Sequence, residues 1–169
     1  PDGQRLFTLI SRYDDVLADI VKREGYKAGD TLKLILPFLK TYGVTDGRIR
    51  EYSLKSMLLV PSARETLQFV RGIAPAFIVS TSYEQYMQAL CYSLDFPFEN
   101  VYCTRLNLDK YRIKEEERAE LRRLREQMVR LPIPEIPKNA RSLKDFPTKM
   151  RETMKRLDEI FDLLNEVSP

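Results

Sequence analysis

The feature that most constrains the fold is a strand–helix–strand pattern near the middle of the chain. Residues 76–80 form an apolar run, which predicts a buried strand ending on the hydroxyl of Ser80. Helical periodicity follows to about residue 94, and residues 101–108 then alternate as a second strand. Because a helix that joins two strands of one sheet forms a right-handed crossover, the pattern predicts two parallel strands.

Helical patterns occupy most of the remaining chain. Residues 1–56 predict three amphipathic helices, separated by a break at Gly25–Gly29 and by Gly43. A charge-rich helix at Lys114–Arg130 and an amphipathic helix at residues 146–167 follow the α/β stretch. We therefore expect an α/β, helix-rich fold with about two parallel strands, divided into residues 1–56, 57–110 and 111–169.

Local signals predict where several helices begin or bend. Asp30 can cap the second helix, and Pro37 should bend it. Thr45 or Asp46 should start the third helix. Ser62 with Glu65 has the spacing of a capping box, which predicts a helix start after Pro61.

Composition excludes several classes of function. The chain has no histidine, which excludes Ser-His triads and general base catalysis by histidine. Its 28 basic and 25 acidic residues are well mixed, so the net charge of +3 does not indicate nucleic-acid binding. No apolar run approaches the roughly 18–20 residues that cross a bilayer, and we expect no membrane insertion. Cys91 and Cys103 lack a CxxC motif, which indicates buried thiols in a reducing, cytoplasmic compartment.

The arginine-rich helix at residues 114–130 raises the alternative of RNA binding. Glutamates alternate with the arginines along this helix, giving many pairs of opposite charge one turn apart. The pattern favours a solvent-exposed helix stabilised by its own ion pairs over a nucleic-acid interface.

Ser80, Thr81 and Ser82 are the candidate phosphate-binding residues. A hydroxyl at the end of a strand can donate a hydrogen bond to a phosphoryl oxygen, and amides at the start of a helix add further donors. Thr81 with Glu84, and Ser82 with Gln85, have the spacing of overlapping capping boxes. The alternative is that the three residues only cap the helix.

Acidic residues elsewhere give weaker signals. Asp14 and Asp15 adjoin on a helix, where neighbouring side chains diverge by about 100°, so they cannot converge on one metal ion. A solvated helix face is the favoured interpretation of Tyr13–Asp15. Asp95, Glu99 and Asp109 lie beside predicted turns, where we expect them to stabilise the turn.

The order of these elements resembles the middle of haloacid dehalogenase-like (HAD) phosphatases, in particular the phosphoserine phosphatase branch. The second signature motif of that family is an apolar strand closing on Ser or Thr, which Ala76–Ser80 match. Where that branch usually follows the serine with glycines, Thr81 and Ser82 stand in this chain.

Three segments narrow the resemblance further. Residues 12–15, 24–34 and 79–86 look like an archaeal HAD-like group whose members are labelled predicted phosphatases or energy-converting hydrogenase A subunit R. The resemblance covers residues 1–110 well and the rest loosely.

The resemblance implies hydrolysis of a small phosphomonoester through an aspartyl-phosphate, with Ser80 holding the transferring phosphoryl group. It also implies an aspartate nucleophile, a lysine and an acidic pair that holds Mg²⁺. In that family these groups would precede Pro1 or follow Pro169. We therefore expect a fragment that is inactive alone, with a helical cap at 1–56, a slice of the core at 57–110 and a second insertion or cap at 111–169.

A different class of function stays open beside the enzyme. A HAD-like or α-rich domain could serve as a non-catalytic module that binds another protein, such as a component of an archaeal hydrogenase complex. In either case a two-stranded parallel sheet leaves edges and faces uncovered. We expect further segments of the parent chain, or a second chain, to complete the sheet.

Overall fold

The computed structural model describes residues 2–22 and 31–167, and the chain divides into two compact units. The first unit comprises residues 1–42 and 113–169, and the second comprises residues 43–112. The described residues form a helix-rich fold with one two-stranded parallel sheet, as the sequence predicted. The elements are α1 (Asp2–Asp15), which continues as a π-helix (Val16–Val21), α2 (Thr31–Leu34), α3 (Leu36–Thr41), α4 (Asp46–Ser56), α5 (Ala63–Ile73), β1 (Ile78–Tyr83), α6 (Glu84–Leu94), β2 (Val101–Thr104), α7 (Glu115–Met128) and α8 (Thr148–Val167).

The first unit is built around a closed apolar core. Its helices α1, α3, α7 and α8 contribute side chains that recur at three- and four-residue spacing, so each helix presents one apolar stripe. Tyr13 lies at the centre of this core, where its ring stacks on Phe161 with 5.0 Å between ring centroids. Its hydroxyl donates a hydrogen bond of 2.6 Å to Asp158 Oδ1. The polar end of a buried tyrosine is thereby satisfied.

The solvated face predicted for Tyr13–Asp15 is present only at Asp15. That residue is exposed and pairs with Arg12 at 3.4 Å. Asp14 is 4% exposed, and the hydroxyl of Thr31 donates to its carboxylate at 2.7 Å. The prediction is wrong for Asp14 because adjacent residues on a helix point about 100° apart, and one of the pair turns inward.

The helix starts in this part of the chain follow the local signals where the structure describes them. The second predicted helix is divided at Ile35, and Pro37 lies in the first turn of α3. Thr45 caps α4, since its hydroxyl accepts a hydrogen bond from the backbone N–H of Arg48. The predicted break at Gly25–Gly29 and the cap at Asp30 lie outside the described residues.

The second unit places α6 against one face of the sheet. β1 and β2 run parallel, with Ile78 paired to Val101 and Tyr83 to Thr104, and the register shifts between these pairs. Val101 packs with apolar side chains of α6, including Met87. The predicted strand–helix–strand order is confirmed, although β2 ends at Thr104 and does not continue to residue 108 as predicted. In the same unit α4 packs beside α6.

The compact units differ from the three segments expected from the sequence. Residues 1–42 and 113–169 form one unit with a shared core, whereas the expectation separated them. α4, which was assigned to the first segment, groups with the α/β unit. Helical periodicity marks an apolar stripe but does not name the partner against which the stripe packs.

Candidate functional site

The candidate site lies at the carboxyl end of β1, which is longer than predicted. The strand was expected to end at Ser80, but it continues to Tyr83, and α6 begins at Glu84. Pairing of Tyr83 with Thr104 keeps this stretch extended. The hydroxyl of Thr104 also donates to the carbonyl of Thr81 at 2.7 Å. Hydrogen bonds from the neighbouring strand therefore override the local helix-start signal.

Both predicted capping boxes at the start of α6 are wrong. Tyr83 occupies the cap position and makes no side-chain cap hydrogen bond. Glu84 accepts hydrogen bonds from Arg105 and from the backbone N–H of Leu106, and Gln85 donates to Asp46 and to the carbonyl of Leu106. These residues bind partners in other elements and are not available to cap their own helix. The box predicted for α5 is also wrong, because Ser62 has a positive φ and makes no cap bond.

Ser80 and Ser82 are joined directly. Ser80 Oγ accepts a hydrogen bond of 3.1 Å from the backbone N–H of Ser82. Burial alternates along β1, so the two serines lie on the half-buried face and Thr81 lies on the exposed face. The amide of Ser82, which was expected to donate to a ligand, is thus already engaged. No bond donated by the Ser80 hydroxyl occurs among the described residues, so its hydrogen is available to a ligand.

The expectation that β1 is a buried strand is also wrong. Val79 is 83% exposed, and Phe77, just before the strand, lies on the same side. Tyr102 of β2 is paired with Val79 and extends this exposed apolar surface. We call Phe77, Val79 and Tyr102 the bare face of the sheet.

Arg105 is a candidate site residue that sequence reasoning did not single out. It immediately follows β2, so it lies at the same carboxyl edge as the end of β1. Its Nη1 donates to Glu84 Oε2 at 3.0 Å, and its guanidinium lies 5.4 Å from the centre of the Phe98 ring. The only sequence signal is position, since ligand sites of parallel sheets gather beyond the carboxyl ends of strands.

A polar network fixes α6 against the segment that follows β2. Gln85 Nε2 donates to Asp46 Oδ1 at 2.7 Å and to the Leu106 carbonyl at 2.8 Å. The carboxylate of Asp46 also accepts from the backbone N–H groups of Leu108 and Asp109. Asp109 returns a bond by accepting from the Asp46 N–H, which is a contact with α4 and not the local turn bond predicted for it. The first turn of α6 is therefore held in place from two sides.

Burial raises the pKa of three side chains in the second unit. Burial raises the pKa of the Tyr83 hydroxyl above its usual range. Burial also raises the pKa of the Cys91 and Cys103 thiols, which keeps both protonated near neutral pH. Cys91 is buried, as predicted, whereas Cys103 is only half-buried. Neither thiol is activated as a nucleophile.

The described residues do not fit the Mg²⁺ that the resemblance implies. No group of three carboxylate, thiol or imidazole side chains among residues 2–22 and 31–164 is placed to hold a metal ion. The carboxylate of Asp46, which contacts Gln85 in the first turn of α6, already accepts hydrogen bonds from three N–H donors. We derive no catalytic step through a metal ion in this chain.

The second unit also contains a groove of about 420 Å³. It is lined by residues of α6 and the turn after it: Gln88, Cys91, Tyr92, Asp95, Phe96 and Phe98. Ser80–Ser82 do not line this groove, so it is not part of the candidate phosphate site. No described helix is long and apolar enough to cross a membrane.

Comparison with known proteins supports the fold. No protein-family model matches the sequence, and no curated protein matches it. The chain is similar to the solved structure of gene product AF1437 from Archaeoglobus fulgidus, with 26% sequence identity and a TM-score of 0.75. The match covers 96% of this chain and 48% of the other, so the chain spans about half the length of that protein.

Proposed function

We propose that the second unit binds the phosphoryl group of a small phosphomonoester at the carboxyl edge of its sheet. The observation that carries the proposal is the placement of Ser80. Its hydroxyl donates no hydrogen bond among the described residues and lies near the end of a parallel strand that leads directly into an 11-residue helix. The first N–H groups of a helix have no intrahelical partner and attract anions, so the start of α6 adds donors to the serine.

The wider proposal is that the chain is part of a HAD-like, Mg²⁺-dependent phosphatase in the cytoplasm. It rests on the resemblance of Ala76–Ser80 to the second motif of that family. In this proposal Ser80 orients the phosphoryl group, while the nucleophile and the metal ligands belong to segments outside residues 1–169. The chain by itself then binds a phosphate ester without hydrolysing it.

The second candidate function is a non-catalytic module that binds another protein, for example within an archaeal hydrogenase complex. The bare face of the sheet favours it, because parallel sheets are normally covered on both faces. The same surface also fits the enzyme if further segments of the parent chain, or a second chain, complete the sheet.

Hydrolysis of p-nitrophenyl phosphate in the presence of Mg²⁺ separates these functions. We expect no turnover by the 169-residue chain and turnover by the protein encoded by the complete reading frame. The matched control is the complete protein carrying Ser80→Ala, which should lose most of its activity. Turnover by the short chain would contradict the fragment proposal. An inactive complete protein would favour the interaction module.

A further inference from the structure

We propose that Arg105 is a second phosphate-binding residue at the carboxyl edge, where it donates hydrogen bonds to two oxygens of the phosphoryl group. This inference rests on the proposed function, because it concerns the same ligand and the same edge of the sheet. It adds a cation, paired with Glu84, to a site in which the residues singled out from the sequence are all neutral.

The position of Arg105 follows from the pairing of the strands. The residue directly follows Thr104, which pairs with Tyr83 and whose hydroxyl bonds to the Thr81 carbonyl. The backbone of Arg105 is therefore adjacent to the last residues of β1. The side chain is 68% exposed, so a ligand from solvent can reach it.

The hydrogen bonds of the guanidinium leave its best anion-binding edge free. Nη1 donates to Glu84, whereas Nε and Nη2 donate to no group in the part of the chain that the structure describes. Nε–H and one N–H of Nη2 point in the same direction and form the fork that matches two oxygens of a phosphate. The contact with Glu84 leaves this fork unoccupied.

Two contacts fix the orientation of the Arg105 guanidinium. Glu84, at the start of α6, is only 20% exposed and is fixed by a second bond from the Leu106 N–H. The guanidinium also lies over the Phe98 ring, 5.4 Å from its centre. Since the side chain is already ordered, less conformational entropy is lost when an anion binds.

The inference is tested by titrating the 169-residue chain with inorganic phosphate at low salt and measuring the affinity by calorimetry. Arg105→Gln should weaken phosphate binding about tenfold, which is the order expected for loss of charge-assisted hydrogen bonds. Arg105→Lys keeps the charge but loses the paired N–H donors. Its affinity for phosphate should therefore fall about threefold, to a value between those of the unaltered chain and of Arg105→Gln. Arg112→Gln, an equal loss of charge on an exposed arginine of the same unit, should leave the affinity unchanged.

The outcomes separate this inference from the proposed function. If Ser80→Ala weakens binding and Arg105→Gln does not, the role of Arg105 is wrong and the phosphate site remains. Equal losses in Arg105→Gln and Arg112→Gln would show only general attraction between charges, and would overturn the role of Arg105. If the unaltered chain binds no phosphate, both proposals fail. Thermal unfolding of each variant should match the unaltered chain, because the Arg105 side chain is mostly exposed.

Discussion

The two units of this chain bury their apolar residues to different extents. In the first unit, residues from four helices that are distant in sequence close around Tyr13, Leu157 and Ile160, which are almost completely buried. In the second unit, the sheet is covered on the α6 side, while Val79 and Tyr102 on the other side face solvent. An apolar strand in the sequence is thus not evidence of burial, since burial requires a partner on each face.

The polar groups of the two units also differ in whether all of their donors are used. Tyr13 bonds to Asp158 and Asp14 bonds to Thr31, so these polar groups stabilise a closed core. At the carboxyl edge of the sheet, Ser80 and Arg105 each keep donors that no described residue uses. Unused donors on a rigid scaffold are what a binding site for an anion requires.

The largest expected effect is in the core of the first unit. Leu157→Ala removes a fully buried side chain and should lower the free energy of unfolding by about 2–5 kcal/mol, because it leaves a cavity. Leu163→Ala is the matched control on the same helix, where the side chain is 45% exposed, and should cost well under half as much. Amide hydrogen exchange in α8 measures both. Equal costs would contradict the closed core.

The next effect is at the polar network of the second unit. Gln85→Ala removes two hydrogen bonds of a buried amide, one of them to a carboxylate, and should cost about 2 kcal/mol. Gln88→Ala, one turn along α6, breaks only the two exposed bonds that Arg50 donates to Gln88 Oε1, and should change the free energy of unfolding by less than about 0.5 kcal/mol. Hydrogen exchange in α6 tests the pair. A larger loss for Gln88→Ala would contradict the role of the network.

A smaller effect is expected on the sheet, where neighbouring residues lie on opposite faces. Val79→Thr on the bare face should change the free energy of unfolding by less than about 0.5 kcal/mol. Ile78→Thr places a hydroxyl on the face that packs against α6 and should cost about 1 kcal/mol or more. Urea denaturation compares the two variants. Val79→Thr proving as costly as Ile78→Thr would show that the bare face is covered.

The smallest effect is on the rate of thiol labelling. Burial raises the pKa of Cys91, so less thiolate is present at a given pH than for a free thiol. Iodoacetamide should therefore label Cys91 slowly near neutral pH, and the rate should still be rising at a pH where the rate for a free thiol has levelled off. Mass spectrometry of timed samples measures the rate, with the urea-unfolded chain as control. Labelling at neutral pH as fast as in urea would contradict a buried thiol.

The parts of the fold that sequence predicts are those that local rules decide. The parallel pair of strands follows from the helix between them, and the Thr45 cap follows from a residue that bonds only three positions along the chain. The end of β1 at Tyr83 could not be predicted this way, because it depends on pairing with Thr104, 21 residues later.

The candidate site shows the same limit. The pattern of residues 76–82 indicated where the site lies, since a strand followed by a helix is a local signal. It could not indicate that Ser82 donates its amide to Ser80, nor that Glu84 holds Arg105 across 21 residues. The capping preferences of these residues are overridden by hydrogen bonds to other elements, and those bonds are present only in the folded chain.

The central claim is that the Ser80 edge of the sheet binds a phosphoryl group. The most direct measurement is a titration of the ¹⁵N-labelled chain with inorganic phosphate, in which backbone amide signals are followed by NMR. The account predicts saturable shifts confined to residues 80–87 and 104–106, and their loss in Ser80→Ala. An absence of shifts at Ser80, or shifts concentrated on the arginines of α7, would contradict it.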